Sequence, residues 1–126
     1  LADPWPRAFD RLMSVEPAGY TRIGPALRHA SSELGRARAR KRLLLVVTDG
    51  RPTDYDRYEG RYGVEDVAMA VREAHDLGVQ VFALAIDHQA RSHLAEMFGR
   101  GRYAVLPKPE ALVDAMAAVY RDVLVR

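Results

Sequence analysis

A single aspartate ends the most apolar stretch of the sequence, and its position makes it a candidate for cation binding. Asp49 directly follows the run Leu43 to Thr48 and precedes Gly50. A carboxylate held at the end of a buried strand is costly unless it meets a cation or hydrogen-bond donors. Asp49 is therefore expected either to bind a metal ion or to cap the turn through Gly50, Arg51 and Pro52.

The polar segment after Asp49 is rich in side chains that recognise other molecules. Tyrosine and arginine are large and amphipathic, and they are enriched at the energetic centres of protein interfaces. We predict that this segment binds a partner. The predicted contact residues are Arg51, Tyr55, Tyr58, Glu59, Arg61 and Tyr62. The alternative is that Arg57 and Arg61 pair with acidic residues of the same loop and tie it down.

A threonine at a predicted helix start is the second candidate ligand. In the stretch GYTRIGPALRHA, Thr21 comes just before Ile23 and Leu27, which begin a helical apolar pattern. A threonine hydroxyl at that place commonly caps the helix by accepting a backbone N–H. The same hydroxyl could instead bind a metal ion, so both interpretations stay open for Thr21 alone.

Alternating helices and strands must position these residues. Continuous apolar runs are typical of buried parallel strands. The predicted strands are Arg42 to Thr48, Val79 to Asp87 and Arg102 to Pro107. Apolar residues at helical spacing predict helices before, between and after the strands. This order predicts the α/β class, as a three-layer Rossmann-like parallel sheet with helices on both faces.

Three packing predictions accompany these elements. The first helix, Trp5 to Val15, is expected to pack its apolar face against the domain. The third helix is expected to bury Val64, Val67, Val71 and Ala74 and to end at Gly78, a residue type that commonly follows helices. The last helix is expected to turn Leu112, Met116, Val119 and Val123 inward. Because the strand Arg42 to Thr48 is so apolar, a central place suits it better than an edge.

The order of the two candidate ligands resembles a known family. A Gly-x-Thr-x-Ile-Gly turn opening a helix, then an apolar strand ending Thr-Asp-Gly, is similar to part of the metal-ion-dependent adhesion site of von Willebrand factor A domains. The resemblance implies that Thr21 and Asp49 help to bind Mg²⁺. The family's first motif, Asp-x-Ser-x-Ser, does not occur in this sequence.

The absence of the Asp-x-Ser-x-Ser motif changes what the resemblance implies. Residues 1–126 are expected to form a single, N-terminally truncated A-like domain, and the missing segment is expected to supply a strand beside Arg42 to Thr48. Mg²⁺ prefers near-octahedral oxygen ligation. With only Thr21 and Asp49 as ligands, this chain alone is expected to bind Mg²⁺ weakly or not at all.

The loop narrows the resemblance further. The stretch Asp56 to Gly63, DRYEGRYG, is similar to the C-terminal A domains of the NorD and CbbO activation proteins. This implies a cytoplasmic, non-catalytic adaptor that works with a MoxR-type AAA+ ATPase on a client enzyme complex. Nitric oxide reductase and Rubisco both remain possible clients. The alternative is a receiver-like α/β domain with Asp49 as a Mg²⁺-assisted phosphoacceptor and Lys108 as its lysine, but the acidic pair of receivers is missing.

Composition argues against several other classes. The chain has no cysteine, a net charge of +2 and no stretch long enough to cross a membrane. The basic cluster between Arg36 and Arg42 lacks interleaved aromatic residues, so we interpret it as a solvated helix end rather than a nucleic-acid site. His29, His75 and His93 lack the spacing of zinc ligands.

Overall fold

The computed structural model describes residues 4–16, 22–49, 60–88 and 91–125. Its helices are α1 (Trp5–Met13), α2 (Ile23–Gly35), α3 (Gly60–Asp76), α4 (Arg91–Phe98) and α5 (Leu112–Tyr120). Its strands are β1 (Leu43–Thr48), β2 (Gln80–Ala85) and β3 (Tyr103–Val105). A 3₁₀ turn (Pro109–Ala111) precedes α5, and a π-helical turn (Arg121–Val125) follows it.

The three strands form one parallel sheet in the order β1-β2-β3. Leu43 lies opposite Gln80, and Thr48 lies opposite Ala85, so β1 and β2 begin and end together. Helices cover both faces of this sheet. The predicted α/β class and the order of elements are confirmed.

Alternate residues of the strands pack on opposite faces, as the pleat requires. Leu44 and Val46 of β1 pack with the core that α2, α3 and α4 form on one face. Leu43 and Leu45 pack with α5 on the other. The larger core buries the predicted residues of α3, which are Val64, Val67, Val71 and Ala74.

Two predictions of packing were wrong. Helix α1 forms, but its apolar residues Trp5, Phe9, Leu12 and Met13 are exposed and none of its residues is buried. Periodicity shows that a helix is amphipathic, but it does not show what covers the apolar face. Met116 of α5 is 42% exposed, because Leu112, Ala115 and Val119 form the inward face and Met116 lies at its margin.

The most apolar strand lies at an edge of the described sheet. Strand β1 pairs with β2 alone among the described residues, and β2 takes the central place. The sequence favours a central position for β1. The composition of β1 and its place in the described sheet therefore do not match.

The edge where the strands begin, here called the amino edge, is tied by hydrogen bonds. Arg42 donates from Nε and Nη2 to the carbonyl oxygen of Ala37, at 3.1 and 2.8 Å. Lys41 Nζ donates to the carbonyl oxygen of Val123 at 3.3 Å. Arg42 therefore holds the turn between α2 and β1, and Lys41 links that turn to the π-helical turn after α5. The cluster follows the end of α2 at Gly35, so these two residues have structural contacts rather than the solvated helix-end position that the sequence predicted.

Glycine closes α3 at the same edge, as predicted. Gly78 has φ +73°, a left-handed conformation that glycine adopts without a steric penalty. The Gly78 N–H donates to the His75 carbonyl oxygen at 2.8 Å, and the Val79 N–H donates to the Ala74 carbonyl oxygen at 2.9 Å. These two bonds satisfy carbonyl groups at the helix end in a Schellman motif.

A histidine and an arginine meet beside that turn. Arg102, just before β3, contacts both ring nitrogens of His75 in the last turn of α3. Partial burial lowers the pKa of His75 below its ordinary value of 6.5, and the charge of Arg102 lowers it further, although Asp76 opposes both. Protonation of His75 is therefore less favourable in the folded state than in the unfolded state.

Among the described residues, no helix combines the length and the apolar character needed to cross a membrane.

Candidate functional site

The candidate site lies where the strands end, here called the carboxyl edge. Thr48 is the last residue of β1, and its carbonyl accepts a hydrogen bond from the Ile86 N–H at 3.3 Å. Asp49 and Asp87 therefore follow adjacent strands that end together. Asp49 is exposed and Asp87 is half-buried. The structure brings the predicted ligand Asp49 to the edge at which ligands of open α/β sheets usually bind.

The start of α3 comes to the same edge. This helix returns the chain from the end of β1 to the beginning of β2, so it runs antiparallel to both strands. Its first turn presents Arg61 and Tyr62, both predicted contact residues, and Tyr62 is 63% exposed. Arg61 Nε lies 2.8 Å from Glu65 Oε1, one turn along the same helix. Arg61 thus has an ion-pair partner one turn along α3, a pairing that the sequence analysis did not predict.

The start of α2 lies near this edge as well. Arg42 bonds to the Ala37 carbonyl, so the end of α2 lies near the beginning of β1. The 13 residues of α2 and the six residues of β1 both span about 20 Å, so the start of α2 lies near the end of β1. Arg22, which precedes α2, lines one groove with Thr48. The position immediately before Arg22 in the sequence is that of the predicted ligand Thr21.

Several predicted residues lie outside the described residues. They are Thr21, Arg51, Tyr55, Tyr58 and Glu59. Their roles stay predictions, as does the pairing of Arg57. Of the predicted site, the structure places Asp49, Arg61 and Tyr62.

An ion-pair cluster that sequence analysis missed fixes α2 against α3. Arg28 Nη1 lies 2.8 Å from Asp66 Oδ1, and Arg28 Nε lies 2.6 Å from Glu73 Oε2. Burial alone would lower the pKa of Arg28, but the hydrogen bonds to Glu73 and Asp66 raise it. The two ion pairs thus link α2 to α3, whose starts both reach the carboxyl edge.

One signal for this cluster exists in the sequence. Asp66 and Glu73 are seven residues apart, so they lie two turns apart on one face of a helix. The sequence does not show that Arg28 faces them from another helix. That contact depends on how α2 and α3 pack.

The described part of the carboxyl edge offers carboxylate oxygens and an exposed aromatic side chain. Within the described ranges, no group of three or more His, Cys, Asp and Glu side chains is arranged to hold a metal ion. Asp49 offers carboxylate oxygens, which suit hard cations such as Mg²⁺. Tyr62, in the first turn of α3, offers an exposed amphipathic ring at the same edge.

Comparison with protein families decides what kind of domain this is. The model of the von Willebrand factor type A domain matches residues 7–116, which is most of the chain. The chain belongs to this family. The match begins within α1 and extends into α5, so it includes Asp49, Arg61 and Tyr62. No solved structure matches the chain.

Curated relatives narrow this A domain to the NorD type. Protein NorD of Brucella suis biovar 1 is 45% identical over 116 residues, which cover 92% of this chain and 18% of the relative. Protein NorD of Stutzerimonas stutzeri is 46% identical over 100 residues, covering 79% of this chain and 16% of the relative. An uncharacterized protein of Pseudomonas aeruginosa is 41% identical over 111 residues. The chain thus spans less than a fifth of the length of these relatives.

Proposed function

We propose that this A domain is the partner-recognition module of a NorD-type activation protein. It binds a MoxR-type AAA+ ATPase and a client enzyme complex through the carboxyl edge, and it catalyses no reaction. The proposed client is nitric oxide reductase, and Rubisco is the alternative client; the named relatives, which are NorD proteins, support the NorD type. The proposed setting is the cytoplasm.

The observation that carries this proposal is the composition of the carboxyl edge. Asp49 and Tyr62 are both exposed there, next to a loop that adds further tyrosines and arginines in sequence. An exposed tyrosine combines apolar area with a hydrogen-bonding group, and it loses little conformational entropy when it is bound. Such an edge suits a protein partner better than a small, enclosed substrate.

We further propose that Asp49 and Thr21 hold Mg²⁺ at this edge. Both side chains offer oxygen, the ligand atom that Mg²⁺ prefers. The ion would let an acidic partner side chain bind beside Asp49. Within this chain, Asp49 would orient the ion at the end of β1, and Tyr62 would pack against the bound partner. Residues 1–126 alone would bind the ion weakly.

A thermal-shift titration tests the metal proposal. The full-length polypeptide should melt at a higher temperature as MgCl₂ is added, because an ion that binds only the folded state stabilises it. Asp49→Asn should abolish that shift. Asp10→Asn is the matched control, since Asp10 is also exposed but lies on α1. An equal shift in Asp49→Asn and the parent protein would refute the role of Asp49.

Acetyl phosphate separates this proposal from the receiver-like alternative. A binding module should show no phosphoadduct on Asp49 after incubation with acetyl phosphate and Mg²⁺. Mass spectrometry of the intact protein and its peptides would detect such an adduct. Modification of Asp49 would favour the phosphoacceptor function instead.

A further inference from the structure

Helices α2 and α3 pack against each other and bring two parts of the candidate site to the carboxyl edge. The start of α2 follows the predicted ligand Thr21 in sequence, and the first turn of α3 presents Tyr62. Leu27 of α2 and Val67 of α3 are buried in the same apolar core. The axial register of the two helices, meaning how far one is displaced along the other, therefore determines how these two parts of the site are placed.

Apolar packing between α2 and α3 supplies little directional information about this register. The residues of α3 in the shared core include Ala70 and Ala74, whose methyl groups form only low ridges. Ser31 of α2 is 1% exposed, and its hydroxyl has no hydrogen-bond partner among the described residues. That hydroxyl therefore does not align the two helices.

Arg28 of α2 supplies a directional contact because it bridges two carboxylates of α3. Its Nη1 lies 2.8 Å from Asp66 Oδ1, and its Nε lies 2.6 Å from Glu73 Oε2. Asp66 and Glu73 are seven residues apart, which corresponds to about 10 Å along a helix. A displacement of α2 in either direction would lengthen one of the two ion pairs. A side chain paired with a single carboxylate could follow such a displacement by changing its rotamer.

The geometry and burial of this bridge favour a fixed arrangement. The guanidinium group presents its N–H donors in a rigid planar fork, so two acceptors together define its position. The side chain of Arg28 is 35% exposed and that of Asp66 is 19% exposed. Partly buried ion pairs are screened less by salt than fully exposed pairs. The bridge is therefore stronger than the exposed ion pairs within single helices.

We propose that Arg28 is a positioning residue that holds α2 and α3 in one axial register and so sets the arrangement of the carboxyl edge for partner binding. The consequence for binding rests on the proposed function, whereas the control of the register does not. Arg28→Lys separates the two roles of charge and geometry, because lysine keeps the charge but offers a single ammonium group. The lysine should pair with one carboxylate at a time and leave the register less restricted.

An engineered disulfide measures the register directly. Gly35 ends α2, Leu77 follows α3, and a Cβ added at Gly35 would lie 3.7 Å from the Leu77 Cβ. The Cβ atoms of disulfide-bonded cysteines lie about 3.5–4.5 Å apart. Gly35→Cys/Leu77→Cys should therefore form a disulfide in the observed register. Residues 1–126 contain no cysteine that would compete for it.

A redox titration of this disulfide in glutathione buffer, followed by peptide mass spectrometry of the full-length polypeptide, tests the proposal. Arg28→Lys and Glu73→Gln should each lower the equilibrium constant for disulfide formation at least about fivefold, because the bridge is lost in both. The matched controls are Arg72→Lys and Glu65→Gln, which change exposed residues of α3 outside the bridge. Both controls should stay within about twofold of the parent.

The same titration distinguishes positioning from a general contribution to stability. Urea unfolding of the reduced proteins shows whether each variant is folded under the titration conditions. A residue that only stabilises the fold would lower the free energy of unfolding and leave the equilibrium constant unchanged. That result for Arg28→Lys would overturn the proposal. An unchanged constant in Glu73→Gln would also overturn it, because Asp66 alone would then hold the register.

Rescue by the disulfide tests the consequence for binding. In the Arg28→Lys background, affinity for a MoxR-type AAA+ ATPase should be at least about fivefold below that of the parent when the cysteines are reduced. It should return to the parent value when they are oxidised. A loss of affinity that the disulfide does not restore would overturn the positioning role. If neither Arg28→Lys nor Tyr62→Ala changed the affinity, the proposed function would be wrong, and the redox titration would still decide whether Arg28 holds the register.

Discussion

The two edges of the sheet differ in what their polar side chains contact. At the amino edge, Arg42 bonds to the Ala37 carbonyl and Arg102 contacts His75. At the carboxyl edge, Asp49 and Tyr62 are exposed to solvent. Polar groups at the amino edge hold the chain in place, whereas the side chains of Asp49 and Tyr62 at the carboxyl edge are accessible to a partner. Substitutions at the amino edge should therefore cost stability, while those at the carboxyl edge should cost binding.

Arg42→Met should have the largest effect on stability. It removes both side-chain hydrogen bonds to the Ala37 carbonyl, which keeps the bond from the Ala39 N–H at 3.0 Å. The loss of the two bonds from the charged donor should cost about 1–3 kcal/mol. Urea unfolding of both proteins measures the difference. Arg40→Met, in the same basic cluster but exposed, should change the free energy of unfolding by less than about 0.5 kcal/mol. Equal losses in the two variants would show that the amino edge is not tied as described.

His75 should make the stability of the amino edge depend on pH. Its pKa is lower in the folded state than in the unfolded state, so the unfolded state binds the proton more readily. The contribution of neutral His75 to the free energy of unfolding is therefore fully present above its ordinary pKa of 6.5. That contribution is lost as the pH falls from 6.5 toward the lower pKa of the folded state. The midpoint of thermal unfolding, measured between about pH 7.5 and about pH 5, should fall less in His75→Gln than in the parent protein. An equal fall of the unfolding midpoint in both proteins would show that His75 does not cause the pH dependence.

Arg61→Ala should have the smallest effect on stability. The pair with Glu65 is exposed and lies within one helix, so it contributes only about 0.3–0.5 kcal/mol. Arg36→Ala is the matched control. Arg36 caps the end of α2 and forms an exposed ion pair with Glu33 of that helix, with the two charged groups 3.0 Å apart. Chemical denaturation should give similar small losses for both variants. A decrease in the free energy of unfolding above about 1 kcal/mol for Arg61→Ala alone would show that Arg61 at the carboxyl edge also stabilises the fold.

The sequence predicted the parts of the fold that periodicity determines. The apolar runs of β1 and β2 and the spacing of Val64, Val67 and Val71 follow directly from burial. Gly78 was predictable because few other residues tolerate a positive φ after a helix. The exposure of α1 was not predictable, because periodicity does not show whether an apolar helix face is covered. Met116 was wrongly predicted to face inward, because the neighbouring residue Ala115 packs on the inward face of α5 and Met116 lies at its margin.

The candidate site was predictable only in part. Asp49 and Tyr62 could be found because strand order fixes which residues meet at the carboxyl edge. The Arg28 cluster could not, because its members come from two helices whose packing the sequence does not reveal. Sequence spacing therefore locates an edge, whereas tertiary contacts determine how its elements are spaced.

Recognition through the carboxyl edge is tested most directly by two tyrosines of similar exposure. Tyr62 lies at that edge and is 63% exposed, and Tyr120 lies on α5 and is 58% exposed. Affinity of the full-length polypeptide for a MoxR-type AAA+ ATPase, measured by biolayer interferometry, should fall at least about tenfold in Tyr62→Ala and stay within about twofold in Tyr120→Ala. Unchanged affinity in Tyr62→Ala, or an equal loss in Tyr120→Ala, would contradict the account.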